Sequence, residues 1–339
     1  NLQDNDFKCT LYGGQLHSEN GDDIMITNSA CEPIPYQVER YNPATGEIVI
    51  WVLVDELNAS GNTELNIVYS NEYESTSNTG TGVWANDYEA TWHMSDGLSA
   101  GKLMFTDASG NGNEAKKYGS THSNQFIDNI AGAFHFDGSN DLGLIHKYDL
   151  DSSLRVRDEV YVQAWVKIDD ARRCNDQVVV AKGKNSNYRY ASYYLGVDRG
   201  RRTSSGYGIE LEGSIKTSNG YHKFSVAGIN EDEWTLIGIS YDGSAIKGYI
   251  NGQEVYSKAW TGTIVDYHKD YLYMGRKLDG GLDEARVSSV ARASNWIATE
   301  YNNQADPTRY FTVGSTSDNS CGEVCVGTAQ VMAIGGTPA

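Results

Sequence analysis

From Trp234 to Tyr241 the chain alternates bulky apolar with small or polar residues, the period-two pattern of a half-buried strand. Asp242-Gly243 punctuates it and Lys247 to Ile250 resumes the alternation. Asn251-Gly252 then predicts a type I′ hairpin turn, because both central residues of that turn need φ > 0. With Gln253 to Tyr256 as the returning strand, the region is a meander, closed by the strand Gly280 to Ser288. The same period governs Val160 to Ile168 around Trp165, Gln177 to Lys182, and Ala131 to Phe136 ahead of the polar turn Asp137 to Asp141. Earlier segments with this pattern are Asp23 to Thr27, Tyr36 to Tyr41, Glu47 to Val54 and Thr63 to Tyr69, with corners at Pro33-Ile34-Pro35 and Asn42-Pro43. Only Ser294 to Tyr301 reads as a helix. Ser70 to Gly82 is small, polar and aperiodic, which marks a linker.

Composition agrees with many short strands and tight turns: 36 Gly and 23 Tyr, but only 5 Pro, in 339 residues. That length suits two domains or one large all-β domain. No run of about 18 apolar residues predicts a membrane span, and no basic-then-apolar start predicts a signal peptide, so Asn1-Leu2-Gln3 reads as a mature or trimmed start. A formal net charge of −18 repels phosphate backbones and anionic membranes, which argues against nucleic-acid partners. It also suits divalent cations, although solubility explains it equally well. The five cysteines have no zinc-site spacing. In an extracellular protein Cys9 with Cys31 and Cys321 with Cys325 are the natural bridges, leaving Cys174 over.

The tryptophan before Tyr241-Asp242-Gly243, the Tyr249 to Val255 hairpin, the Gly281 to Arg286 strand and the Trp296 to Gln304 end occur here in one order. Together they resemble the laminin-G-like, or concanavalin A-like, jelly rolls of secreted and surface proteins. The likeness extends over about residues 83 to 313 through Trp84, Trp92, the Asp107 to Asn113 loop and Phe134 to Asp141. Upstream, Gly21 to Ile24 with Thr27, Ile34 to Tyr36 with Glu39, Ile50 to Val52 and Ile67 to Asn71 resemble a family of unknown function that often precedes such domains in bacterial surface proteins. In that family another strand precedes the segment seen here as Asp6-Phe7. Its place is expected to be filled by a further segment such as Val324 to Ile334, from the same chain or the next.

The chemistry of an enzyme is hard to find. No Glu-x-Asp-x-x-Glu run projects paired carboxylates, and Glu210-Leu211-Glu212 has the period but no third partner. There is no G-x-S-x-G elbow, no H-E-x-x-H and no phosphate loop. Calcium is a stronger case, because Asp- and Asn-rich loops offer the oxygens it wants. The resemblance implies a structural calcium ion on Asp107, Asn111, Asn113 and Asp283. The same residues are also ordinary turn formers. For a glycan, the aromatic and planar polar cluster Tyr188, Arg189, Tyr190 and Tyr193, with Trp260, is the richest surface on offer, and it reads equally as strand packing.

The expectation is therefore an all-β chain: a small N-terminal β-sandwich at 1–72, a linker at 73–82, a two-sheet concanavalin A-like jelly roll at 83–313 and an unplaced tail at 314–339. Its expected role is that of a non-catalytic, extracellular module of a bacterial surface or appendage protein, binding a glycan or a surface protein in adhesion. The alternatives are a structural subunit of an extracellular filament, joining copies of itself through the N-terminal edge or C-terminal tail, and, more weakly, a glycoside hydrolase.

Overall fold

The computed structural model describes residues 2–54, 57, 61–69, 80–95, 104–119, 126–127, 129–146, 153–172, 176–183, 191–203, 206–266, 270–309, 311–314 and 328–333. Twenty-three strands, numbered in chain order, occur among them. The chain divides into two compact units, residues 1–86 with 299–339, and residues 87–298.

The first unit holds β1 (Leu2–Gln3), β2 (Met25–Asn28), β3 (Tyr36–Asn42), β4 (Glu47–Val52) and β5 (Thr63–Val68), and from the far end of the chain β22 (Phe311–Val313) and β23 (Thr328–Ala333). One sheet runs β1-β4-β3 and the other β2-β5-β23-β22. Phe7, Leu16, Ile24, Ile26, Tyr36, Ile48, Ile67 and Tyr69 form its core. Tyr36 donates its hydroxyl to the Ile24 carbonyl and Tyr41 to that of Phe7 at 2.7 Å, so these two polar tips are satisfied inside. The filler strand expected near 324–334 is β23 of the same chain, hydrogen-bonded along β5. The units depart from the expected bounds: residues 299–313, read with the jelly roll, join the first unit, because β22 pairs with β23.

The second unit is a sandwich of two eight-stranded antiparallel sheets. Its strands are β6 (Tyr88–Trp92), β7 (Met104–Phe105), β8 (Ala115–Tyr118), β9 (Phe126–Ile127), β10 (Ala133–Asp137), β11 (Leu142–Ile145), β12 (Val160–Ile168), β13 (Gln177–Gly183), β14 (Tyr193–Thr203), β15 (Gly206–Thr217), β16 (Gly220–Ile229), β17 (Thr235–Tyr241), β18 (Ala245–Ile250), β19 (Gln253–Ala259), β20 (Tyr271–Met274) and β21 (Asp279–Ser288). One sheet runs β19-β18-β17-β12-β21-β10-β9 with β6 also on β21, and the other runs β16-β15-β14-β13-β20-β11-β8-β7. Their facing sides bury Trp92, Phe134, Phe136, Val162, Leu195, Leu211, Ile239 and Leu282 among many others. The expected β17–β19 meander is present, and Asn251 and Gly252 both take positive φ (49° and 76°), as the hairpin turn demands. After β21 comes the helix α1 (Ser294–Ala305), whose Ile297 packs with Tyr161 and Tyr249.

Candidate functional site

The β16–β7 sheet carries a second apolar cluster on the face turned away from the sandwich core. Alternation puts Tyr193, Leu195 and Val197 of β14 inward and Tyr194 outward. Val178, Ala181, Ala191, Tyr194 and Tyr273 form the outer cluster, flanked by half-buried Leu142, Leu144 and Tyr271. Tyr271 and Tyr273 lie 5.9 Å apart, His146 meets Tyr271 edge-on at 4.9 Å, and the Arg276 guanidinium sits 5.4 Å from the Tyr273 ring centre.

Polar groups gather on the β14–β15 side of the same face. Carboxylate oxygens of Asp176, Asp198 and Glu212 all lie within 4.8 Å of one another. They come from the start of β13, from β14 and from β15, where Asp198 pairs with Glu210 and Gly196 with Glu212. Glu212 is buried and ion-paired with Lys223 of β16. Burial raises its pKa first, the Lys223 ammonium opposes that rise, and the like charges of Asp198 and Asp176 add to it. Gly196 gives Tyr194 its room, since a Cβ there would lie 2.4 Å from the tyrosine oxygen and 2.5 Å from the Gln177 carbonyl. Burial, then the Glu212 charge, raise the Tyr194 phenol well above its ordinary pKa, so it stays a neutral donor. Ser214 pairs across the ladder with Tyr194 on one side and Lys223 on the other. It is 1% exposed, and its Oγ has no hydrogen-bond partner among the described residues. Tyr194 and Tyr273 are 3% and 5% exposed, so the face offers a ligand the half-buried ring of Tyr271 and carboxylates that accept hydroxyl protons.

Several residues expected from sequence stand elsewhere. Tyr188, Arg189 and Tyr190 lie outside the described residues, as do Cys321 and Cys325. Tyr193 is a correction: it is fully buried in the core with its hydroxyl 3.4 Å from the Leu154 carbonyl, because its strand phase points inward. Trp260 is half-buried against the core, its indole nitrogen donating to Thr217 Oγ1 at 3.1 Å and its ring 5.0 Å from His222. The Cys9–Cys31 bridge is also corrected. Cys9 is a buried free thiol, whereas Cys31 is disulfide-bonded, and Cys174, Cys321 and Cys325 all lie outside the described residues.

The residues expected to hold calcium fall into two groups. Asp107 Oδ1 accepts the backbone N–H of Thr91 (3.0 Å) and Ser109 (2.9 Å), and its Oδ2 accepts that of Asn113 (2.9 Å). Asn111 and Asn113 both donate to the Glu89 carbonyl. Asn113 is fully buried, and its Oδ1 has no partner among the described residues. Asp283 has hydrogen bonds of its own: its Oδ2 accepts from Asn129 Nδ2 at 2.8 Å and Ile130 N at 3.3 Å, and its Oδ1 from Glu284 N at 2.8 Å.

Sequence reasoning missed the outer face. Glu212 is visible as one of a period-two pair of acids, but its companions Asp176 and Asp198 sit outside that strand, and Tyr271 and Tyr273 lie in a four-residue strand too short to show a period.

Among solved structures, domain 4 of AbnA, a GH43 extracellular arabinanase from Geobacillus stearothermophilus, in complex with arabinotriose, is similar at 16% identity and a TM-score of 0.44, over 63% of this chain and 97% of that one. The receptor binding domain of botulinum neurotoxin C/D mosaic serotype is similar at 15% identity and a TM-score of 0.47, over 68% of this chain. The binding domain of Paraclostridial Mosquitocidal Protein 1 follows at 14% and 0.48, over 66%. The chain spans little more than half of these two toxin domains, 56% and 53%. No curated protein matches the sequence. Residues 20–144 match the model of a domain of unknown function (DUF2341), and residues 149–298 match that of the concanavalin A-like lectin/glucanases superfamily.

Proposed function

We propose that this protein is a non-catalytic binding module of a secreted or surface protein, and that it holds a glycan on the outer face of the β16–β7 sheet. One observation carries this reading. A buried aromatic cluster sits off the core beside three carboxylates and a buried serine hydroxyl that has no hydrogen-bond partner among the described residues. Buried polar groups in folded proteins are nearly always hydrogen-bonded, so an orphan hydroxyl beside aromatic rings favours a polar ligand. The disulfide on Cys31 supports an oxidising compartment. The match to a superfamily of lectins and glucanases agrees with the binding role. The test is titration calorimetry against a panel of neutral oligosaccharides. Tyr271→Ala is expected to weaken binding at least tenfold; a panel with no binder, or a variant that binds as the parent does, overturns the reading.

Glycoside hydrolysis is the second reading, favoured by the Asp176, Asp198 and Glu212 grouping, in which one carboxyl is pushed toward its protonated form. Release of reducing sugar that disappears in Glu212→Gln would establish it in place of binding alone. The proposal also includes a structural calcium ion at the Asp107 loop. Asp107 and Asn113 fit it, Asn113 Oδ1 being a buried oxygen with no hydrogen-bond partner among the described residues.

A further inference from the structure

One sheet of the first unit is completed from the far end of the chain. Its strand β5 is flanked by β2 on one edge, over Met25↔Val68 to Asn28↔Leu65, and on the other by β23, over the full register Thr328↔Val68 to Ala333↔Thr63. Among the described residues, β22 joins this sheet through its pairing with β23, Phe311↔Ala333 to Val313↔Val331. Take β23 away and the outer edge of Thr63–Val68 loses its hydrogen-bond partners, beside Ile67, Val68 and Tyr69, which are now 3%, 1% and 0% exposed. An edge of that kind recruits a strand.

We infer that the slot between β5 and β22 is a self-assembly site that accepts β23 from a second copy of this chain. Here the strand is the chain's own. Every copy carries the same segment, so a strand exchanged between copies makes the same ladder contacts as one kept at home. The balance is then set by protein concentration against the effective concentration of the tethered strand. The donor end and the acceptor slot are different surfaces, so each exchange leaves one of each free. Repetition is head to tail, and it builds rings or open chains according to the rotation per step.

The ladder gives a direct test. Glu64 stands opposite Met332. Two full-length variants, Glu64→Cys and Met332→Cys, are warmed together toward the melting midpoint, cooled and treated with a short bis-maleimide. The parent chain and each variant alone report any reaction of the native cysteines. The expected result is a product of twice the chain mass that appears only in the mixture and grows with protein concentration. The double variant, treated when dilute, should close within one chain. If the mixture yields no such product at any concentration while the double variant closes on itself, exchange does not occur and the inference fails. If the double variant does not close either, β23 does not occupy the slot and the inference fails at its first step.

Discussion

Asp107→Asn is the most informative single change in the jelly roll, because the substitution keeps the shape and alters one atom's role. The carboxylate collects three backbone N–H groups, from Thr91, Ser109 and Asn113, in a site where Asp107 is 6% exposed. In the amide, the remaining oxygen can still take Thr91 and Ser109. The new NH2 then faces the Asn113 N–H, donor against donor, and leaves that buried group unsatisfied at a cost of about 1–3 kcal/mol. For a domain of this size each kcal/mol moves the midpoint by roughly 2–4 °C, so calorimetry should show a loss of about 2–12 °C in the jelly-roll transition. Asp107→Ala removes both acceptor oxygens, and with them all three hydrogen bonds, and should cost more. The loss from hydrogen bonding is independent of metal, so it should persist in EDTA. A calcium ion on this loop would add a separate increment that rises with calcium concentration by mass action. An Asp107→Asn variant that melts with the parent refutes the hydrogen-bond reasoning. If the deficit appears in calcium and vanishes in EDTA, the carboxylate serves as an ion ligand and not as a loop cap.

Phe224 is held between two glycines, one from each sheet: a Cβ on Gly213 would lie 2.5 Å from its ring and one on Gly248 2.6 Å. Gly248→Ala should therefore destabilise by about 1–3 kcal/mol through overpacking, seen as a lower urea midpoint with an unchanged slope. The hydrogen bond to Asp169 is the leading cause that raises the His135 pKa above its ordinary value, and burial only partly opposes it. The pair's stabilisation is thus complete below the unfolded histidine pKa, near 6.5, and is lost as pH rises through the raised folded value. Both side chains are about a third exposed, so the effect is small. Its clean readout is an NMR titration in which Asp169→Asn lowers the His135 midpoint. Reduction of the Cys31 disulfide should lower the melting temperature of the first unit, with a cost of about 2–5 kcal/mol, whereas Cys9→Ala leaves that bridge intact in a mass map.

The strands were legible wherever one face is buried, because the period of two is then written in the residues. Val160–Ile168 and the turn at Asn251-Gly252 stand where the pattern puts them. The phase of a tyrosine-rich strand was not legible. Tyr193 and Tyr194 are adjacent and identical, and only the strand's actual twist and pairing turn one inward and the other out. A bulge between Val178 and Val180 on the neighbouring strand shifts the register further. The carboxylate grouping was hidden for a related reason. Asp176, Asp198 and Glu212 meet across three strands, and no local window contains them all. Cys31 is disulfide-bonded while Cys9 is a free thiol, so proximity in sequence was a poor guide to its pairing.

The position of β23 also has a consequence in time. A ribosome releases β5 long before it makes β23, with the whole jelly roll translated between them. Contacts of such long sequence separation form late, since the loop must close before they return any stability. The nascent first unit therefore waits with an unsatisfied edge, a period in which it is open to aggregation. The jelly roll, whose strands are contiguous from 87 to 298, can fold during that wait. Biogenesis is thus ordered from the middle outward, and shortening the delay, or shielding the edge while it lasts, should raise the yield of folded chain more than stabilising either finished unit.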